Sequence, residues 1–479
     1  PFIKFLGLNE WAVRLPGAIL GVATVYVVYL LVIELGRLGE IGKLGEKARM
    51  TALTASFFLA VSPWHIHFSR GGWETNAATF FITCGVWLFL KAIKNPKFFA
   101  ISFSFFVLSL YSYHAARIVV PLLVLGLFVI YRKEISVNIK WILVSVLIGL
   151  ILLIPLGLDL TKGTVFTRAG GVGLFADTGP IERINEQRGE HRNLSNPFAV
   201  FLHNKPINYT LAFFENWGEH FSGEFLFLTG DDIQRNKVPE MGQMYITDLL
   251  FVLIGLASLL SSKLKTQNSK LIIWWLVVAP VAAALTFQSP HAVRAHNMVI
   301  PLVIISAYGL TNLSFWLHKT VKNKLYLDLI FIIFVAGVAW NFTRYLHIYY
   351  QHMAKEYPFS SQYGVKELVS YIKDEGNKYE NIIVSDEYDQ PYILFLYYLK
   401  YPPDKFQLEH SLTSINLYGF STVESFDKYQ FQKIVFDQDK ISYPRSLIVG
   451  TDEEIPDEAN VVKEIYGTNG YKYFQIVAN

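Results

Sequence analysis

The chain has few charged residues and a single cysteine. Only 17% of its 479 residues are charged and 52% are hydrophobic, whereas soluble domains carry about 25% charged residues. A mean hydropathy of +0.32 argues against a soluble globular enzyme, and the low charge excludes a disordered chain. Cys84 stands alone, so an intrachain disulfide or a site of several thiolates is excluded. The nucleophile elbow, the P-loop and the HExxH motif are also absent.

Long apolar runs are abundant, and they indicate an α-helical polytopic membrane protein. A helix needs about 20 apolar residues to cross a bilayer, because its backbone amides find no water there. Ten such runs lie at about 17–36, 50–64, 75–92, 97–113, 117–131, 140–159, 245–262, 271–288, 297–316 and 325–343.

The loops between these runs alternate in charge. One set carries sixteen basic residues: Arg37, Lys43, Lys47, Arg49, Lys91, Lys94, Lys97, Arg132, Lys133, Lys140, Lys263, Lys265, Lys270, Lys319, Lys322 and Lys324. The short loops of the other set carry Arg70, Arg117 and Arg294 only. The positive-inside rule assigns the first set to the cytoplasm. The N-terminus, a long loop of about 160–244 and everything after residue 344 are then expected outside, in a multi-pass protein of the cell membrane.

The last part of the chain has a different composition. Residues 1–343 contain 29 basic and 19 acidic groups, whereas residues 344–479 contain 13 basic and 20 acidic groups. The pattern predicts helices at 362–375 and 390–400, and strands at Asn381–Ser385, 445–450, 461–466 and 471–477. We therefore expect a ten-span membrane domain at 1–343 and a small extracytoplasmic α/β domain at 344–479.

The three arginines of the second set of loops stand beside histidine, tyrosine or glutamate. The candidate residues are Arg70 with His65 and Glu74, Arg117 with Tyr113, and Arg294 with His291. A guanidinium offers a planar fork of donors that suits a phosphate or a carboxylate. One such arginine is best explained by contact with lipid headgroups or a neighbouring side chain. Three on one face favour a site for a lipid phosphate or diphosphate.

Two smaller patterns have alternative interpretations. Arg70 and Glu74 stand four apart, so they form either an ion pair at a helix end or a site in which Glu74 orients Arg70 or contacts a sugar hydroxyl. His65 and His67 would bind a divalent metal only with further ligands such as His291, and wet interfacial histidines explain them better. The long loop contains Asn216–Phe221 and Asp231-Asp232, and its aromatic, amide and carboxylate groups suit sugar recognition.

Several segments resemble one family of membrane enzymes. They are Gly7–Ala18, Ser62–Glu74, Tyr113–Arg117, Phe221–Asp231 and Pro290–Arg294. In this order they are similar to the polyprenyl-phosphate-sugar glycosyltransferases of the GT-C type, which include protein mannosyltransferases and aminoarabinose transferases (glycosyltransferase families 39 and 83). The resemblance covers most of residues 1–343, and residues 344–479 resemble the soluble tails of such proteins only loosely.

The resemblance implies transfer of a sugar, with inversion, from a polyprenyl phosphate to a glycan, lipid or protein acceptor on the outer face of the membrane. Arg70, Arg117 and Arg294 would stabilise the leaving lipid phosphate, with His291 as a helper. Glu74, Tyr113 and His65 would support them. No cofactor is certain, a divalent metal is possible, and no nucleic acid is expected.

The family's general-base aspartate lies in an outer loop before the span that begins here near Pro16. We therefore expect that base, and one further span, upstream of Pro1, and a chain without them to be inactive. Two other functions are weighed: a transporter or flippase for a lipid-linked anion, and a non-catalytic assembly protein that binds envelope glycan. A flippase should place charges near the middle of its spans, whereas the ionisable groups here crowd one face.

Overall fold

The computed structural model describes residues 2–39, 45–161, 170–191, 196–261, 266–416 and 420–479. The protein is mostly helical and divides into two compact units, Pro1–Tyr345 and Leu346–Asn479. The division lies close to the change in charge at residue 344.

The first unit is built from helices. In chain order these are α1 (Phe2–Leu6), α2 (Glu10–Gly39), α3 (Glu46–Val61), α4 (Pro63–Arg70), α5 (Glu74–Ala92), α6 (Phe98–Ser112), α7 (Ala116–Ile130), α8 (Arg132–Val137), α9 (Ile139–Leu160), α10 (Gly179–Gly189), α11 (Pro197–Leu202), α12 (Lys205–Glu219), α13 (Asp248–Leu260), α14 (Gln267–Val278), α15 (Val281–Ala284), α16 (Val299–Thr320) and α17 (Lys324–His347).

Within the described residues, five helical segments are long and apolar enough to cross a membrane. They are Glu10–Leu38, Glu74–Ala92, Ile139–Leu160, His296–Thr320 and Lys324–Glu356. Each of the ten predicted runs coincides with a helix, but α6, α7 and α13 are shorter apolar helices and α3 has 16 residues. The run at 271–288 is divided between α14 and α15 at Pro280, because proline lacks the amide that would continue a helix.

Hydrogen bonds between helices show which helix termini lie at the same end of the first unit. Near the N-termini of α2 and α5, Asn76 Nδ2 donates to the Gly17 carbonyl at 2.7 Å. Near the C-terminus of α2, Asn268 Nδ2 donates to the Leu35 carbonyl at 2.7 Å. We call the first end, which includes the N-termini of α2, α5, α7 and α16, the arginine end. The second, formed by their C-termini, is the lysine end. The described loops of the two charged sets lie at these opposite ends, whereas Lys43, Lys263 and Lys265 fall outside the described residues.

Two glycines let α4 approach α2 closely at the arginine end. A Cβ atom on Gly21 would overlap the Ser69 hydroxyl, and one on Gly17 would lie 3.0 Å from the Ser69 carbonyl oxygen. The two glycines are four residues apart and so share one face of α2. This small-residue face is typical of closely packed membrane helices.

The second unit contains a seven-stranded sheet and short helices. The helices are α18 (Met353–Glu356), α19 (Val365–Glu375), α20 (Pro391–Leu399), α21 (Pro403–Glu409) and α22 (Phe436–Ser442). The strands are β1 (Asn381–Ser385), β2 (Ser411–Leu412), β3 (Val423–Phe426), β4 (Tyr429–Gln432), β5 (Ser446–Gly450), β6 (Val461–Tyr466) and β7 (Lys472–Ala478).

The strand order is β2-β3-β4-β1-β5-β7-β6. β1 lies in the middle and runs parallel to β4 and β5, and the other neighbours are antiparallel. Ile382 and Val384 of β1 belong to one apolar cluster with Leu368 of α19, while Ile383 belongs to a second. Because successive side chains point to opposite faces of a strand, both faces of β1 are buried, as its apolar sequence predicts.

The structure confirms a small C-terminal sheet. The predicted strands correspond to β1, β5, β6 and β7, and the predicted helices correspond to α19 and α20. The sequence analysis missed β2, β3 and β4. They have two to four residues each and contain serine, glutamine or glutamate, so they lack the apolar run that marks a buried strand.

Candidate functional site

A buried carboxylate joins two loops at the arginine end. The side chain of Asp231 is fully buried. Its Oδ1 accepts from the Ile233 amide at 2.8 Å, and its Oδ2 accepts from Asn236 Nδ2 at 2.9 Å and from the Ala292 amide at 2.6 Å. Burial raises the pKa of Asp231, and the three hydrogen bonds oppose that rise because they favour the charged form. The carboxylate therefore holds the segment 231–236 against the segment that precedes α16.

Two buried histidines continue this network. His291 Nδ1 lies 3.8 Å from Asp231 Oδ2. The His291 amide donates to His220 Nε2 at 3.1 Å, and the other ring nitrogen of His220 contacts the Asn216 carbonyl at 2.8 Å. Because Nε2 accepts a hydrogen bond, Nδ1 must carry the proton and donate it to Asn216. Burial lowers the pKa of His220 to about 4, so its imidazole is neutral at physiological pH.

Arg294 lies in a turn before α16 and is held by the loop that precedes it. Its Nη1 donates to Thr286 Oγ1 at 2.7 Å, and its Nη2 donates to Gln288 Oε1 at 3.4 Å. The same loop is attached to α12, because Asn216 Nδ2 donates to the Thr286 carbonyl at 3.0 Å and Ser289 Oγ donates to the Asn216 carbonyl at 2.9 Å. The guanidinium is thus held by a loop that hydrogen bonds between side chains and backbone carbonyls attach to α12.

The short helix α4 forms another side of the site. Ser62 caps its N-terminus. Trp64 Nε1 donates to the Ala292 carbonyl at 3.1 Å, and His67 Nε2 donates to the Arg235 carbonyl at 2.9 Å. α4 therefore contacts both segments that Asp231 joins.

Three arginines, Arg70, Arg235 and Arg294, lie on the segments that form the surroundings of the buried His67 and His291. Burial lowers the pKa of His67, and the charge of Arg70 lowers it further. Burial also lowers the pKa of His291 to about 3, with additional effects of Arg294 and Arg235. Arg70 follows His67 by three residues on α4, His67 Nε2 contacts the Arg235 carbonyl, and Arg294 follows His291 by three residues. These three cations outnumber the carboxylates of Asp231 and Asp232, so the cluster suits an anion.

The structure places the other predicted residues in separate environments. Arg117 Nε donates to the Leu110 carbonyl at 3.3 Å in the turn between α6 and α7, and the ring of Tyr113 lies 6.4 Å from that of His114. Glu74 is exposed in the first turn of α5, where a carboxylate is favoured by the helix dipole. No described contact joins Arg117 or Glu74 to the Asp231 network.

His65 lies in the interior, where it attaches α4 to α2. It is 3% exposed, and its Nε2 donates to the Gly21 carbonyl at 3.1 Å. Its ring is stacked on that of His296, with the centroids 6.1 Å apart and the planes 6° from parallel. The prediction of a wet, interfacial histidine is wrong for His65, because its side chain is buried.

The sequence analysis missed Arg235 and Asn236 as members of the site, and it marked His220 only as part of a segment suited to sugar recognition. The run Asn216–Phe221 and the pair Asp231-Asp232 marked the long loop as suited to sugar, but nothing in their spacing predicts that Asp231 meets His291, which lies 60 residues later. Hydrogen bonding of Asp231 to the Ala292 backbone depends on the tertiary fold and has no sequence motif.

The described residues contain no group of three or more histidine, cysteine, aspartate or glutamate side chains placed to hold a metal ion, so we assign no metal site. No protein-family model matches this chain, and no curated protein matches it significantly. The assignment of function therefore depends on the geometry of the arginine end and on the resemblance noted above.

Proposed function

We propose that this protein is an integral-membrane glycosyltransferase. It would move a sugar from a polyprenyl phosphate to an acceptor on the outer face of the cell membrane, with inversion at the anomeric carbon. Five membrane-length helices support the location in a bilayer, and the charge alternation of the loops supports an outward-facing arginine end.

The observation that carries the proposal is that Arg70, Arg235 and Arg294 lie on three segments that contact one another at the arginine end. When the bond between sugar and lipid phosphate breaks, the phosphate gains negative charge. Donors and cations that are already in place stabilise that charge without further reorganisation. The Arg294 guanidinium is held in place by hydrogen bonds to Thr286 and Gln288.

Asp231, His220 and His291 act in this proposal as positioning residues. Asp231 is buried and its two oxygens already accept three hydrogen bonds, so we do not assign it as the base. The acceptor hydroxyl would lose its proton to a carboxylate within hydrogen-bond reach. We assign none of the described carboxylates to that role.

Binding of the lipid product tests the proposal without requiring turnover. The purified protein would be titrated with undecaprenyl phosphate in detergent, and the bound lipid measured by native mass spectrometry. Arg294→Ala is expected to weaken binding by about tenfold or more, since a hydrogen bond to a charged group contributes about 1.5–3 kcal/mol. Arg294→Lys, which retains the charge but loses the fork, should bind with intermediate affinity.

Arg132→Ala is the matched control, because Arg132 is an exposed arginine in α8 at the lysine end. It should bind the lipid like the unaltered protein. Equal affinity of Arg294→Ala and Arg132→Ala would contradict the proposed phosphate site. In vesicles, movement of the intact lipid-linked sugar across the bilayer without release of the sugar would support a flippase instead.

A further inference from the structure

A cavity of about 360 Å³ lies at the lysine end, between α2, α3 and α5. Its polar wall consists of Glu34, Arg37, Arg49 and Lys91, and its apolar wall includes Tyr29 and Trp87. Glu34 lies seventeen residues after Gly17 in α2, which corresponds to about 25 Å of helix. The cavity is therefore separate from the Asp231 network.

The charged groups of this cavity make different kinds of contact. Glu34 is buried and accepts from Arg37 Nη1 at 3.3 Å. The ammonium of Lys91 lies over aromatic rings instead, 5.3 Å from the centroid of Trp87 and 4.3 Å from that of Phe98. A cation held over rings in this way keeps donors available for an anion.

Three cations and one carboxylate leave the described wall of the cavity with a net charge of +2. Among the described residues, no carboxylate forms an ion pair with Arg49 or Lys91. The wall is also rich in arginine. The lysine end has three arginines among its sixteen predicted basic residues, and two of them, Arg37 and Arg49, line this cavity. Arginine forms paired hydrogen bonds with phosphate, which lysine does not.

We propose that this cavity binds a phosphate group, with Arg37 and Arg49 as hydrogen-bond donors and Lys91 as a further positive charge. Its position at the end of membrane-length helices points to an anionic phospholipid as the source. Basic pockets between such helices on the cytoplasmic side recognise lipid headgroups, and Tyr29 and Trp87 are residues that favour the membrane interface. A soluble phosphate offers the same chemistry. The proposal does not depend on glycosyl transfer.

The test compares two phosphate sources with one set of variants. The purified protein in a zwitterionic detergent would be titrated with dioctanoyl-phosphatidylglycerol in one series and with inorganic phosphate in another. Binding would be followed by the rise in the midpoint of thermal unfolding. Arg49→Gln is expected to raise the apparent Kd of the bound phosphate compound by about tenfold. Arg49 is exposed, so the fold should not depend on it.

Two further variants distinguish binding in the cavity from general attraction. Glu34→Gln removes the carboxylate that competes for Arg37, so it should lower the apparent Kd, a gain that a misfolded protein would not show. Arg132→Gln removes an exposed arginine of the same end outside the cavity and should leave Kd unchanged.

Binding of the lipid that is sensitive to Arg49→Gln supports a headgroup site, and the same dependence for inorganic phosphate alone supports a soluble phosphate. The proposal is overturned if Arg49→Gln and Arg132→Gln behave alike in both series, or if Glu34→Gln weakens binding.

Discussion

The arginine end and the lysine end of the helical unit use charge in different ways. At the arginine end, charged and polar groups are buried and fixed by hydrogen bonds, as Asp231 and His220 show. At the lysine end, the cations lie over aromatic rings, as Lys91 does, or are exposed, as Lys133 is. A preorganised group stabilises charge that develops during a reaction, whereas exposed cations serve orientation in the membrane and contact with headgroups.

The largest expected effect is a difference in cysteine labelling between the two ends, because a membrane should separate them. Cysteines would be introduced as Asp232→Cys at the arginine end and Lys94→Cys at the lysine end, in a Cys84→Ala background. Both sites are exposed. An impermeant maleimide applied to intact cells should label the Asp232→Cys protein, and it should label the Lys94→Cys protein only after the cells are opened.

The parent protein is the control for this labelling. Its single cysteine, Cys84, is 3% exposed and should not react before the protein unfolds. Labelling of both introduced cysteines in intact cells would contradict the comparison of the two ends and the outward orientation of the candidate site.

Removal of the buried carboxylate should give the next largest effect. Asp231→Ala leaves the Ala292 amide, the Ile233 amide and Asn236 Nδ2 without their acceptor. Because buried unsatisfied donors cost about 1–3 kcal/mol each, with partial relaxation, the free energy of unfolding should fall by about 3 kcal/mol. Thermal unfolding in detergent measures the change.

The adjacent residue provides a matched control for this variant. Asp232 is exposed, so Asp232→Ala should change the free energy of unfolding by less than about 0.5 kcal/mol. If the two variants melt at the same temperature, the arginine end is not held by the Asp231 network.

The smallest effect is a dependence of stability on pH. Burial lowers the pKa of His220 to about 4 and that of His291 to about 3, from 6.5. Between these values and 6.5 the unfolded chain binds more protons, so the contribution of each histidine to stability falls as the pH is lowered through this range. The slope is at most about 1.4 kcal/mol per pH unit for each group.

Asp231 acts in the opposite direction, because burial raises its pKa and the folded state then favours its protonated form. The contribution of His220 to the pH dependence of stability is therefore measured by comparing a variant with the unaltered protein. Thermal unfolding of His220→Gln, followed from pH 6.5 to 4, should show a weaker loss of stability on acidification than the unaltered protein. A slope equal to that of the unaltered protein would contradict the buried, neutral state of His220.

Much of the fold could be predicted from local patterns. Apolar runs near 20 residues mark helices, because a bilayer forbids unpaired backbone amides, and all ten runs coincide with helices. Their lengths were harder to predict, since Pro280 divides α14 from α15 and an apolar composition does not show where the helical hydrogen bonds stop. In the second unit, β1 was identified by its isoleucines and valine, whereas the polar strand β4 was not.

The candidate site was predictable in residue type but not in arrangement. Arg294 and His291 stood out because they are ionisable groups beside an apolar run. The contact of His67 with the Arg235 carbonyl, and the contact of His65 with the Gly21 carbonyl, depend on which segments pack together. Arg117 was grouped with Arg70 and Arg294 because all three stand in loops predicted to lie on the same side of the membrane. Its described hydrogen bond, however, is to the Leu110 carbonyl and not to the cluster.

The amino-acid order alone determined that this is a helical protein with membrane-length segments, and that arginine and lysine are sorted to alternate turns. Those properties follow from hydrophobicity and charge, which act on each segment separately. Only the tertiary structure decided that Asp231, His220 and His291 form one buried network and that Arg37, Arg49 and Lys91 share a cavity. Hydrogen bonds and ion pairs are short-range and directional, so they exist only once distant segments have packed into contact.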